Sequence, residues 1–193
     1  MNARTSGLRP AGSPPSRVRI IGGAWRGRSL RVLARPGLRP TPDRVRETLF
    51  NWLGQRLDGL RCLDLFAGSG VLGLEAASRG AARVNLVEHD RGACAALEEA
   101  AQRLAASGVQ VTHADALQFL RRCGECYDVV FVDPPYGEGW IERIAAPLAR
   151  VLSPAARIYV EAEAPVAVPD GWEMLRAGRA GRVHYHLLAT GTS

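Results

Sequence analysis

The sequence predicts an α/β fold: a doubly wound, seven-stranded, mostly parallel sheet with an antiparallel hairpin at one edge, extended at the N-terminus by a small hairpin and a helix. Three observations predict it. From residue 61 onward, strand-like runs alternate with helical stretches, as in a parallel sheet built from crossover units. A glycine-rich turn, Asp64-Leu65-Phe66-Ala67-Gly68-Ser69-Gly70-Val71-Leu72-Gly73, joins the first of these strands to its helix. The last two runs, Trp172 to Ala177 and Val183 to Leu188, are separated only by Gly178-Arg179-Ala180-Gly181, so they pair antiparallel.

Taken in order, residues 1–16 form a basic tail in which Pro10, Pro14 and Pro15 oppose helix formation, and disorder is the expectation there. Residues 17–57 form the extension. Val18-Arg19-Ile20-Ile21 and Ser29-Leu30-Arg31-Val32 flank a Gly22-to-Gly27 turn and predict a hairpin whose arginines are displayed on one ribbon. Thr41-Pro42-Asp43 predicts a helix start, with a capping oxygen, Pro at the first position and an acid near the positive end of the dipole. Val45, Leu49, Trp52 and Leu53 give that helix one apolar stripe. Residues 58–193 form the catalytic domain, with parallel strands at Arg61 to Leu65, Arg83 to Val87, Val109 to Thr112, Tyr127 to Val132 and Arg157 to Val160.

Composition narrows the function. The 193-residue length suits one core plus an appendage. All 25 basic residues are Arg, which excludes Schiff-base lysines, Ser-Lys pairs and the phosphate loop ending in Gly-Lys-Ser/Thr. The charge is lopsided: residues 1–46 carry 11 Arg against Asp43 alone, a balance of +10, and the remainder carries 14 Arg against 18 acids, or −4. Nucleic acid is the partner such a basic segment attracts. No apolar run is long enough to cross a membrane and the N-terminus lacks a secretory pattern, so the expected compartment is the cytoplasm. Cys62, Cys94, Cys123 and Cys126 are expected to stay reduced, and the isolated Cys123/Cys126 pair and the His184/His186 pair have too few companions to make a metal site.

The chemistry converges on one sheet edge. Tyr127 to Val132 reads as a buried parallel strand, and Asp133-Pro134-Pro135-Tyr136 stands at its carboxyl end, where open α/β sheets bind ligands. Asp accepts hydrogen bonds, the prolines fix the backbone and Tyr offers a stacking face, a set suited to a planar base held by its amino group. The glycine-rich turn satisfies a G-x-G-x-x-G pattern that, alone, fits either a nicotinamide cofactor or S-adenosylmethionine. Its neighbours separate the two. Asp64 would suit a cationic amino group and repel a pyrophosphate. Glu88 can accept from ribose hydroxyls, and Asp115, in His113-Ala114-Asp115-Ala116, can face an adenine amino group or serve only as a helix cap.

These residues resemble the class I S-adenosylmethionine-dependent methyltransferases of exocyclic amines, whose signature is Asn or Asp followed by Pro-Pro-Tyr/Phe. Arg19-Ile20-Ile21-Gly22-Gly23, Trp25-Arg26-Gly27-Arg28 and the block from Arg39 to Leu53 are similar to the bacterial 16S ribosomal RNA guanine-N2 methyltransferase family of RsmD type. The resemblance runs from about residue 17 to the end. It implies a Rossmann-like methyltransferase that transfers a methyl group to the exocyclic N2 amine of one loop guanine of 16S ribosomal RNA in the small subunit or its assembly intermediate, with a monomer expected. It places catalysis on Asp133, Pro134, Pro135 and Tyr136. S-adenosylmethionine would be held by Asp64, Phe66, Ala67, Gly68, Ser69, Gly70, Glu88, His89, Asp115 and Ala116, and RNA by Arg19, Trp25, Arg26, Arg28, Arg31, Arg39, Arg44 and Arg46. No metal is implied. The residues themselves leave open adenine-N6 methylation of RNA or DNA, glutamine-N5 methylation of protein, and a noncatalytic RNA-binding or assembly factor. A nicotinamide oxidoreductase would leave the Asp133-to-Tyr136 turn and the basic arm without a role.

Overall fold

A computed structural model describes residues 16–32 and 41–191. The tail before residue 16 and Arg39 lie outside the described residues. Strands β1 (Ser16–Arg19) and β2 (Ser29–Val32) form the N-terminal hairpin, antiparallel, with Val18 opposite Leu30. β1 begins two residues earlier than the apolar pattern indicates. Ile20 still exchanges backbone bonds with Arg28 and Gly27, continuing the ribbon to a 3-10 turn at Gly23–Trp25.

Helix α1 (Asp43–Leu53) follows. Its stripe buries Val45, Leu49 and Phe50, and it ends at Gly54 in the left-handed conformation that stops a helix cleanly. The expected cap is absent: the residue preceding the helix is Pro42, with no side-chain cap bond. The Thr41 hydroxyl is directed elsewhere, as described below.

The main sheet then alternates regularly through β3 (Arg61–Asp64), α2 (Val71–Ser78), β4 (Arg83–Glu88), α3 (Arg91–Arg103), β5 (Val109–His113), α4 (Ala116–Arg122), β6 (Tyr127–Val132), α5 (Trp140–Ala149), β7 (Leu152–Ala162), β8 (Trp172–Ala180) and β9 (Val183–Thr190). Strand order is β5-β4-β3-β6-β7-β9-β8. β9 pairs antiparallel with both β7 and β8, which gives the expected edge hairpin, while the other pairs are parallel. The order reverses between β3 and β6, and the crevice at such a switch point is where ligands bind in doubly wound sheets. Asp64 ends one of these strands and Asp133 follows the other.

Side chains alternate across the sheet and so create two cores. On one face Cys62, Val84, Phe131, Tyr159 and Tyr185 join Leu49, Phe50 and Leu74, and the cluster continues into Val18, Ile20 and Leu30 of the hairpin. On the other, Leu63, Val130 and Ile158 pack under Leu120, Ile144 and Leu148. Cys62 and Cys94 are buried and all four cysteines are free thiols.

A buried ion network fastens the extension to the first core. Glu75 of α2 is fully buried and accepts from the backbone N–H of Ile21 (2.9 Å) and Gly22 (2.7 Å), from Arg46 Nη1 (3.1 Å) and from Arg79 Nε and Nη2 (3.1 and 3.0 Å). Arg46 is fully buried too, and its remaining N–H groups reach Asp43 (2.5 Å), the Arg19 carbonyl (2.9 Å) and the Thr41 carbonyl (3.3 Å). Arg46 therefore cannot hold RNA phosphate, which corrects the expectation. A charge run read along the sequence does not reveal that one member turns inward to meet a carboxylate 29 residues away.

Candidate active site

The glycine-rich turn rises from the carboxyl end of β3. Gly70 adopts φ +72°, and a Cβ there would lie 2.3 Å from Leu97 Cδ2; at Gly73 it would lie 2.2 Å from Leu86 Cδ2. Glycine is thus required both by the backbone at the head of α2 and by the close approach of that helix to β4. Asp64 is buried and its Oδ2 accepts from the Gly73 N–H at 3.0 Å. Burial pushes its carboxyl up to about 7, with Glu88 and Glu161 adding repulsion and the Gly73 N–H opposing.

Glu88 closes the loop from the next strand. Its Oε2 accepts from Gly68 N–H at 2.9 Å and its Oε1 from Asp90 N–H at 2.8 Å, with His89 Nδ1 at 3.1 Å. The carboxylate therefore both shapes the turn and stands at the strand tip, and a carboxylate has acceptor sites beyond two such bonds. Ala67 is buried and Phe66, Gly68 and Ser69 are half-buried, whereas His89 is exposed. Asp115 caps α4: its Oδ1 accepts from Leu117 and Gln118 N–H at 2.9 and 3.1 Å, and Ala116 is buried behind it. The capping reading of Asp115 thus has a direct structural basis.

Asp133 follows β6 on the same sheet face as Asp64, since Asp64 is in register with Phe131. Pro134 is buried, Pro135 is exposed, and Tyr136 is 45% exposed. Burial, then Glu161, then Asp64 hold the Asp133 carboxyl well above the usual carboxylate range, against the Thr41 hydroxyl. Beside this turn Phe66 meets Trp140 edge-on at 5.1 Å, and the Arg143 guanidinium lies 4.1 Å from the Trp140 ring centre.

Two residues of this site were not anticipated. Val132 of β6 pairs with Val160 of β7, which sets Glu161 beside Asp133 on the adjacent strand. Glu161 is buried, and its Oε1 accepts from the hydroxyls of Thr41 (2.8 Å) and Tyr159 (2.9 Å). Thr41 comes from the extension, 120 residues away in sequence. The available signal for Glu161 was its place at the end of Arg157-Ile158-Tyr159-Val160, a fifth acid at a strand tip. Nothing local marks Thr41, whose sequence context is that of a helix start.

Among the expected RNA contacts, Arg19, Arg26, Arg28, Arg31 and Arg44 are exposed. Trp25 is half-buried and packs against the first core. No group of three potential metal ligands occurs among the described residues.

A doubly wound sheet with a glycine-rich first turn, acids at successive strand tips and Asp-Pro-Pro-Tyr at the switch point defines a Rossmann-like methyltransferase. The family model "Conserved hypothetical protein 95" matches residues 18–189. Ribosomal RNA small subunit methyltransferase D of Escherichia coli is 46% identical over 184 residues, covering 93% of each chain, and that of Haemophilus influenzae is 44% identical over 178 residues, covering 88% of this chain and 92% of its own. A solved Escherichia coli structure superposes with a TM-score of 0.84 at 46% identity, over 92% of this chain and all of that one. The chain belongs to the ribosomal RNA small subunit methyltransferase D family.

Proposed function

We propose that this protein methylates the exocyclic N2 amine of a guanine in 16S ribosomal RNA of the small subunit, with S-adenosylmethionine as donor. The observation that carries the reading is the Asp133-to-Tyr136 turn at the switch point, next to a crevice rich in acids and poor in cations. That donor set fits a cationic sulfonium and amino acid group and disfavours a pyrophosphate. When bound, S-adenosylmethionine supplies a methyl group activated by cationic sulfur. Asp64 and the turn through Phe66, Ala67, Gly68, Ser69 and Gly70 would hold its amino acid end, Glu88 and His89 its ribose, and Asp115 and Ala116 its base.

The protein's own task lies with the nucleophile. Guanine N2 is a poor one because its lone pair is delocalised into the ring. The Asp133 carboxylate and the Pro134 carbonyl accept the two amino hydrogens, which favours a pyramidal nitrogen with its lone pair directed at the methyl group. Tyr136 stacks on the base and fixes its plane. A loop guanine is splayed out at lower cost than a paired one. Arg19, Arg26, Arg28, Arg31, Arg39 and Arg44 hold phosphates around it, and the exposed edge of Trp25 can stack. No helix among the described residues is long and apolar enough to cross a membrane, and the form proposed is a cytoplasmic monomer.

The test is transfer of labelled methyl to small ribosomal subunits lacking the modification, followed by nucleoside analysis. The expected product is N2-methylguanosine with wild type and none with Asp133→Ala, which keeps its affinity for S-adenosylmethionine. Formation of N6-methyladenosine, or unimpaired transfer by Asp133→Ala, would overturn the assignment.

A further inference from the structure

We propose that Glu161 and Thr41 are positioning residues that make Asp133 the acceptor of the proton released by the amine. The inference rests on the methyl-transfer reading above and deepens it. Transfer has an unavoidable remainder: the amine lone pair forms the N–C bond, the C–S bond breaks with its electron pair left on sulfur, and the nitrogen gains positive charge. One of its two protons must leave, and the carboxylate that already accepts a hydrogen bond from it is the nearest base.

The geometry equips Asp133 for this. Glu161 stands beside it on the neighbouring strand, both on the face covered by α1, and strands that pair lie about 4.8 Å apart. Glu161 and Thr41 are 3% and 4% exposed and Tyr159 is fully buried, while Asp133 is half-buried, so the Glu161 end of the pair is little screened by solvent. Thr41 donates to Glu161 Oε1 and also favours the Asp133 carboxylate, whereas the Tyr159 hydroxyl donates to Glu161 alone, which favours the ionised form of Glu161 over that of its neighbour. Burial raises both carboxyls, and Asp133 also feels Glu161 and Asp64. The first proton taken up by the pair therefore goes to Asp133. The titratable groups facing Glu161 are Asp133 beyond β6, Asp64 of β3, Tyr159 of its own strand and, on β9, Tyr185 opposite it, while His184 and His186 alternate to the other face of the sheet. None is a fixed cation. Arg46, which touches the Thr41 carbonyl, is engaged with Glu75 and Asp43.

Carboxyl carbon NMR of the unliganded protein reads the device directly, with Asp133→Asn identifying the resonance. In Glu161→Gln the Asp133 midpoint is expected to fall by about one pH unit or more. With subunits as substrate, the acid limb of kcat should move to lower pH by a similar amount while the plateau falls about tenfold or more and KM for S-adenosylmethionine holds. Thr41→Val should lose about tenfold in kcat and Thr41→Ser restore it. An unmoved Asp133 midpoint in Glu161→Gln, or a uniform loss of rate with an unshifted limb, refutes the inference. If Glu161→Gln does not fold, Tyr159→Phe replaces it, with a smaller shift in the same direction expected and an unmoved midpoint again refuting. Wild-type transfer by Asp133→Asn would instead overturn the role of Asp133 itself. Loss of transfer by Asp133→Asn with no shift in Glu161→Gln overturns only the present proposal.

Discussion

Replacing Glu75 by Gln keeps the shape of the buried hub and removes its charge. Both Glu75 and Arg46 are fully buried, and Arg79, the second guanidinium on the same carboxylate, has a side chain only 6% exposed. The variant leaves two guanidiniums facing each other over a neutral amide. Removing one member of a buried pair typically costs about 3–5 kcal/mol, because the remaining charge is desolvated without a partner. Part of this cost is offset, since Arg46 keeps its ion pair with Asp43, the amide oxygen can still accept from Ile21 or Gly22 N–H, and Arg79 keeps its place over the Phe50 ring at 4.4 Å. A loss near the lower figure is expected, about 3 kcal/mol, corresponding to a fall in Tm of about 6–12 °C for a protein of this size. Urea unfolding and calorimetry measure it, and limited proteolysis should show the hairpin released first. Adding Arg46→Met should recover part of the loss, because the two sites share one interaction. A Glu75→Gln variant within about 1 kcal/mol of wild type would refute the claim that this network docks the extension.

Other outcomes follow from the site. Asp64 has a folded-state pKa raised from 3.8 to about 7, so the native state binds the extra proton and stability falls as pH rises through that window, by up to about 4 kcal/mol. Asp64→Asn should therefore raise the Tm of the free protein at pH 8 but not at pH 4, while weakening S-adenosylmethionine binding in calorimetric titration; equal Tm changes at both pH values would refute the burial argument. Gly70→Ala, at φ +72° and with its new methyl 2.3 Å from Leu97 Cδ2, should lower stability by more than the usual 1 kcal/mol or so and abolish cofactor binding. Replacing Arg19, Arg26, Arg31 and Arg44 together by Ala should weaken RNA binding and reduce the salt-dependence slope by about 3, at about 0.7 per phosphate contact, with melting unchanged. An unchanged slope would take the RNA path off this face.

The parallel sheet was legible because its signals are local: a fully apolar Tyr127-to-Val132 run, a glycine-rich turn, and the absence of a helix between Trp172 and Leu188. Strand ends carrying Asp64, Glu88 and Asp133 followed from the same pattern, since the fold rule fixes which end of each strand faces the ligand. What sequence could not show was direction out of register. Thr41 has every local mark of a helix cap, yet its hydroxyl is used 120 residues away on Glu161. Arg46 sits among exposed arginines in sequence and is the largest fully buried side chain among the described residues. Both cases turn on a partner supplied by a distant segment, and local propensity carries no information about such partners. Glu161 was within reach, because it directly follows the run Arg157 to Val160 as acids follow or close the neighbouring strands.

The first core draws Val18 and Phe50 into the same cluster as Phe131 and Tyr185. During synthesis the early segment leaves the ribosome long before its partners exist, and the cover over the apolar side of α1 is not finished until Tyr185 of the closing hairpin has been made. The nascent chain must therefore carry a sticky, strongly cationic head through most of its own translation. Maturation should proceed in one late step, with the arm, the crevice and the base-gripping turn acquiring their final positions together, and a chain stalled before residue 185 should expose all three in unfinished form.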